Sequence, residues 1–103
     1  MNFIYDKHRI YVLNESNKMI VEATFPAINE TTVNIDHTYV DPSLRGQGIA
    51  SKLMYETCAY IKKQGLKVVA TCPYAVVWFK RHHEFDDIIN NEEQAKLAPE
   101  CKI

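Results

Sequence analysis

The sequence predicts an α/β domain with a mixed sheet, in which an antiparallel meander leads into a β-α-β crossover and a second helix. Three observations carry this reading. Apolar runs at residues 9–13 and 19–25 flank the turn-rich stretch Asn14, Glu15, Ser16, Asn17 and Lys18, the pattern of an antiparallel hairpin. Ala50, Leu53, Met54, Thr57, Cys58 and Ile61 recur at the i, i+3, i+4, i+7 spacing that gives a helix one buried face. That helix lies between two strand-like segments, 32–40 and 66–72, and a strand, helix and strand in this order make a right-handed crossover between parallel strands.

Taken in order, residues 3–5 add a short edge strand before the hairpin, and 26–31 form a loop. Residues 32–40 read as one long strand with Val33, Ile35, His37 and Tyr39 on a single face. The crossover helix runs from about Gly48 to Gln64, with Lys62 and Lys63 at its negative pole and Gly65 as its C-terminal cap. Pro73 suits the first position of a second helix, which continues through His82. Residues 85–89 are predicted as a last strand. Asn91 with Gln94 reads as a capping pair for a short terminal helix closed by Pro99.

Composition narrows the function classes. A chain of 103 residues with 47% hydrophobic content makes one domain, residues 1–103, with one core. Its net charge of -1 gives no general attraction to nucleic acid or to an anionic membrane, so neither is expected as a partner. No apolar run reaches membrane-spanning length and no signal peptide is read at the start, so the expected location is the cytoplasm. The three cysteines, Cys58, Cys72 and Cys101, lack metal-ligand spacing, and a reducing compartment keeps them as thiols. No metal site is expected from the histidines either: His82 and His83 are adjacent, about 100° apart on a helix.

The run from Val40 through Asp41, Pro42, Ser43, Leu44, Arg45, Gly46, Gln47, Gly48 and Ile49 to Ala50 concentrates the chemistry. It holds two of the chain's three glycines. The helix turn that follows, Ile49, Ala50, Ser51 and Lys52, has no carboxylate before Glu56, although the positive helix pole favours one. Free backbone N–H groups, glycines that permit close approach, and Arg45 and Lys52 nearby describe a cradle for phosphate or pyrophosphate. Rival glycine motifs fit worse. A Walker A loop needs Lys and Ser/Thr where this chain has Ile49 and Ala50, and a Rossmann fingerprint needs Gly where it has Ser51.

These residues resemble the acetyl-CoA signature of the GNAT superfamily of N-acetyltransferases: Arg or Gln, two residues, Gly, one residue, then Gly or Ala. Arg45, Gly48 and Ala50 fill it. The resemblance covers roughly residues 9–89 and implies a GNAT-like fold that binds acetyl-CoA, with Val40, Arg45, Gly46, Gln47, Gly48, Ile49 and Ala50 holding the coenzyme. It further implies acetyl transfer to an amine acceptor. Two departures matter. The two acceptor-site helices usual between the first two strands of the family have no counterpart here, because only residues 6–8 separate 3–5 from 9–13. Moreover, the position where many members carry an acidic Tyr is Phe79, which has no hydroxyl, and Cys72 takes the place of a junction Asn.

Cys72 and His37 are therefore the candidate catalytic residues. A thiol at a strand end, directly before a helix opened by Pro73, faces the positive pole that lowers a thiol below its free pKa of about 8.5. His37, three residues before Val40, is placed to act as general base or to carry a proton for Cys72. Tyr74 is a backup acid. Two routes stay open: direct transfer with His37 as base, and transfer through a Cys72 thioester. The open acceptor side suits an amine on a protein or other large partner. From a different class, the alternative is a non-catalytic acetyl-CoA-binding sensor or carrier module. Cys58, Val76, Trp78 and Phe79 read as core, and Arg81, His82 and His83 as a solvated helix end.

Overall fold

The computed structural model describes residues 1–100 and 103. The alternation of the first segments produces β1 (Ile4–Asp6), β2 (Arg9–Leu13) and β3 (Met19–Thr24), paired antiparallel in sequence order. In the β2–β3 turn, the Asn14 side chain accepts from the Ser16 and Lys18 N–H groups, and Asn17 takes a positive φ of 60°. β5 (His37–Val40) joins the far side of β3, giving the strand order β1-β2-β3-β5. β4 (Thr32–Ile35) belongs instead to a two-stranded parallel sheet with β6 (Lys67–Ala70).

The long strand expected over 32–40 is thus two strands, and Asp36 divides them. Its N–H donates to the Thr24 carbonyl, and its carboxylate accepts from the Thr24 hydroxyl. An extra residue of this kind reverses the side-chain alternation beyond it. Val33 and Ile35 are buried before Asp36. After it, Thr38 and Val40 stand opposite the buried Ala23 and Val21, while His37 and Tyr39 stand opposite Thr24 and Glu22 on the other face. The expectation that Val33, Ile35, His37 and Tyr39 share one face is therefore corrected.

Helix α1 (Ile49–Lys63) packs against β3, β5 and β6 and buries Leu53, Met54, Thr57, Cys58 and Ile61, the predicted stripe except for Ala50, which is only partly buried. Its end follows from Gly65, whose φ of +74° lets the chain reverse. Gly65 N–H then donates to the Lys62 carbonyl and Leu66 N–H to the Ile61 carbonyl, satisfying two of the last carbonyls of the helix. α2 (Pro73–Arg81) starts at Pro73 with Cys72 as its cap residue and buries Ala75, Val76, Trp78 and Phe79. The Trp78 indole N–H donates to the Ser51 hydroxyl at 2.9 Å, tying α2 to the first turn of α1. Phe25 and Phe79 are the largest side chains fully enclosed in the shared core. No helix among the described residues is long and apolar enough to cross a membrane.

Two expectations near the C-terminus are also corrected. Residues 85–89 contain a 3-10 turn, Asp86–Ile88, and only an isolated parallel bridge between Ile89 and Val68 remains of the expected strand. The cap of α3 (Asn91–Leu97) is Asn90, whose side chain accepts from the Glu93 N–H at 3.1 Å. Gln94 is buried rather than capping. Its side-chain amide accepts from the Ala70 N–H at 2.7 Å and donates to the Ala70 carbonyl at 2.8 Å, imitating one more rung beside β6.

Removing that rung leaves two peptide groups without their partner in the core. Gln94→Leu should lower stability by about 2–4 kcal/mol, the cost of two unsatisfied buried groups. Urea unfolding should show a lower midpoint at unchanged slope, and a midpoint equal to wild type would refute this role of Gln94.

Candidate functional site

The site is assembled where α1 and α2 begin and where β5 and the chain after β6 diverge. Ile35 ends the parallel ladder: its carbonyl accepts from both Thr71 N–H and Cys72 N–H at 3.1 Å. Beyond this point, among the described residues, β5 pairs only with β3, and its other edge has no strand partner. Two adjoining grooves, of about 270 and 150 Å³, open beside it. Val40, Arg45, Ala50 and Tyr74 line both.

The loop into α1 is held by local bonds. Asp41 caps a short 3-10 turn, Pro42–Leu44, accepting from the Ser43 hydroxyl at 2.7 Å and the Ser43 N–H at 2.9 Å. Those bonds, the hydroxyl first, hold the Asp41 carboxyl below the usual carboxylate range. Asp41 N–H donates to the Ile20 carbonyl, and Arg45 Nε to the Val40 carbonyl at 3.2 Å. Gly46 and Gly48 have φ of +84° and +73°, which L side chains adopt only under strain. A Cβ at either would meet nothing within 4 Å, so the backbone conformation, not crowding, calls for glycine there.

Gly48 is the cap residue of α1 and supplies no side-chain acceptor, and the first turn carries no acidic residue. The leading N–H groups of any helix lack intrahelical partners, so this end presents donors and a positive pole. Ile49 lines the smaller groove with Gly46 and Gly48, whereas Gln47 is exposed between the two glycines.

Cys72 lies at the start of α2, 7% exposed, with its Sγ 3.3 Å from the Thr38 Oγ1. Thr38 lines the larger groove together with Tyr74. The Tyr74 hydroxyl is held above its ordinary pKa by burial first and then by its electrostatic interaction with the neighbouring Cys72. It therefore keeps its proton at neutral pH and is a donor.

His37 is not brought to Cys72. Because Asp36 reverses the alternation, the His37 ring stands on the outer sheet face, half exposed, with Nε2 3.4 Å from Glu22 Oε1. Glu22 also pairs with Arg9, which stacks over Tyr11 at 3.8 Å. Sequence reasoning missed Thr38 and Glu22. Only the irregularity at Asp36 exposes them, and an acidic residue within an otherwise β-prone segment was its one available signal. Cys58 is buried in the core, where desolvation pushes its thiol far above the ordinary range. Cys101 lies outside the described residues. Among the described residues no group of three His, Cys, Asp or Glu side chains could hold a metal ion.

An antiparallel sheet and a parallel strand pair that part at Ile35, with a glycine turn feeding a carboxylate-free helix start, give an α/β fold with one helix end suited to an anion. Residues 9–88 match the profile of the family described as GCN5-related N-acetyl-transferase, and the chain belongs to this family. A GCN5-like protein from Staphylococcus aureus, assigned to the N-acetyltransferases, superposes with a TM-score of 0.71 at 25% identity, over 85% of this chain and 86% of that one. An acetyltransferase from Bacillus cereus gives a TM-score of 0.51 at 28% identity, over 58% of this chain and 43% of that one. Tetrahymena GCN5 shares the fold, with a TM-score of 0.61 at 18% identity; the match spans 88% of this chain and 60% of that protein. No curated protein matches the chain.

The two described thiols should differ sharply in reactivity. In native protein at mildly alkaline pH, iodoacetamide should label Cys72 well before Cys58, because burial keeps Cys58 protonated while Cys72 sits against Thr38, which lines the groove. Peptide mass spectrometry reads both sites. Equal rates in folded protein would contradict the placement of Cys72.

Proposed function

We propose that this chain binds acetyl-CoA along the segment Val40 to Ala50 and transfers the acetyl group to an amine carried by a protein or other large partner. One observation carries the reading: Arg45 and Ala50, at the helix start, line the same groove as Thr38, whose hydroxyl touches Cys72. The residues suit the donor substrate. Backbone N–H groups at Gly48, Ile49 and Ala50 and the cations of Arg45 and Lys52 fit a pyrophosphate, and Gly46 and Gln47 complete the turn. The unpaired edge of β5 offers peptide groups for an amide-bearing arm.

Two routes are open. In the covalent one, the Cys72 thiolate forms a bond to the acetyl carbon as the bond from that carbon to the coenzyme sulfur breaks. Tyr74 gives its proton to the departing thiolate, the role that Phe79, buried in the core, lacks the hydroxyl to fill. The neutral acceptor nitrogen then bonds to the acetyl carbon as the bond from that carbon to the Cys72 sulfur breaks; the nitrogen gives its proton back to the Tyr74 oxygen, and Cys72 leaves as thiolate. In the direct route His37, beside Glu22, removes the proton of an amine arriving over the outer sheet face, since an ammonium near pKa 10.4 has no lone pair. The turn between β1 and β2 is only Lys7 and His8, so no helix walls that side. A partner that brings its own surface suits such an open site. The buried Phe79 equally suits a non-catalytic acetyl-CoA sensor or carrier.

Intact mass after incubation with acetyl-CoA separates the readings. The covalent route predicts one hydroxylamine-labile acetyl group, absent in Cys72→Ala. Direct transfer predicts turnover of a lysine-bearing protein that survives Cys72→Ala and falls in His37→Ala. Binding with neither thioester nor turnover makes the chain a sensor or carrier. In titration calorimetry, Gly48→Glu should weaken acetyl-CoA binding by more than about tenfold, because a carboxylate enters the anion site and a side chain strains the cap. Unchanged affinity with an intact fold would move the coenzyme elsewhere.

A further inference from the structure

A groove of about 460 Å³ lies apart from the two grooves described above and has no part in the proposed transfer. Tyr5, Glu56, Ala59, Tyr60 and Lys63 line it, between β1 and the flank of α1. The Tyr5 hydroxyl donates to Glu56 Oε2 at 2.9 Å. The rings of Tyr5 and Tyr60 lie 5.3 Å apart, inclined at 34°, and Tyr60 is braced edge-on against the buried Phe25. Glu56 is half-buried, and its bond from neutral Tyr5 is its one interaction among the described residues. A carboxylate partly removed from water, without a cation among its described partners and lying beside two tyrosine rings, suits an ammonium group. Lys63 is exposed, and its charge on the rim is solvated.

The wall beside this groove supplies a second element of recognition. Among the described residues β1 is an edge strand that pairs only with β2, and all three of its residues are exposed. Tyr5 stands opposite the buried Ile10, so its side chain lies on the helix-facing side of the sheet. An extended peptide added along the free edge of β1 would alternate its side chains about the sheet plane and send one of them down beside Tyr5. Main-chain bonds to β1 and an ion pair to Glu56 would then act together.

We propose that the free edge of β1 and the Tyr5, Glu56 and Tyr60 pocket form a docking site for an extended protein segment, which inserts a lysine side chain against Glu56. This inference stands apart from acetyl transfer, because the pocket shares no residue with the coenzyme grooves.

The test needs no coenzyme. The short peptide acetyl-Thr-Val-Lys-Val-Thr-amide is titrated into the full chain and followed by backbone amide shifts. Saturable shifts should appear at Ile4, Tyr5 and Asp6 and at Glu56, Ala59 and Tyr60. Replacing the peptide lysine with norleucine should weaken binding about tenfold, and Glu56→Gln should weaken the lysine peptide by a similar factor. Butylammonium alone should bind more weakly than the peptide, since it cannot pair with β1. Lys63→Gln should tighten the complex. The proposal is overturned if the lysine peptide does not bind, if the norleucine peptide or Glu56→Gln binds as well as the original pair, or if shifts are confined to residues 40–50. Butylammonium binding as tightly as the peptide would likewise remove the strand-edge component.

Discussion

The carbonyl of Ile35 is where the structure divides, and the site depends on that division. It accepts from both Thr71 N–H and Cys72 N–H, which closes the parallel ladder of β4 and β6 in a single shared acceptor. The chain after Ile35 then changes partner. Asp36 bonds to Thr24, β5 pairs with β3, and the two halves of what would otherwise be one strand enter different sheets. Had the ladder continued, β5 and the chain after β6 would have paired and sealed the gap in which Thr38 and Cys72 meet. Backbone hydrogen bonding therefore creates the opening, because each peptide group beyond Ile35 has to find another partner.

The helices fix what borders that opening. α1 starts at a glycine whose positive φ no capping side chain accompanies, and α2 starts at a proline preceded by Cys72. Neither first turn contains a carboxylate, so two positive helix poles border one region with no internal anion against them. The indole of Trp78 holds the two helices in this arrangement through Ser51. Leu53, Met54, Cys58, Ala75 and Phe79 pack both helices into the shared core, which holds the two helix starts in place. The chain belongs to the family of GCN5-related N-acetyltransferases, and in it only Lys7 and His8 join β1 to β2.

The outer face of the sheet uses polar residues differently. Arg9, Glu22 and His37 form a cross-strand array there, and Tyr11 and Tyr39 flank Glu22 in register on its two sides. Cross-strand pairs of opposite charge on a solvated sheet face contribute a few tenths of a kcal/mol to about 1 kcal/mol each. Their strength is modest, which leaves the side chains free to respond to a partner. The same economy appears at the other edge, where Glu56 has a hydroxyl but no described cation as its partner.

The sequence by itself determined every element whose cause is local. The hairpin, the buried stripe of α1, the Gly65 stop, the Pro73 start and the glycine turn at Gly46 and Gly48 are all written in side-chain spacing or in residues with special backbone freedom. Tertiary structure decided the features that need a partner distant in the chain. Whether residues 32–40 make one strand or two depends on whether Thr24 or the chain after β6 satisfies the backbone at Asp36, and alternation alone carries no sign of it. That choice turned His37 outward to Glu22 and Thr38 inward to Cys72, reversing the pairing that simple alternation implies. Gln94 followed the same rule: its spacing suited a cap, but a buried peptide group at Ala70 needed its amide more, and a side chain satisfies the stronger unsatisfied partner within reach.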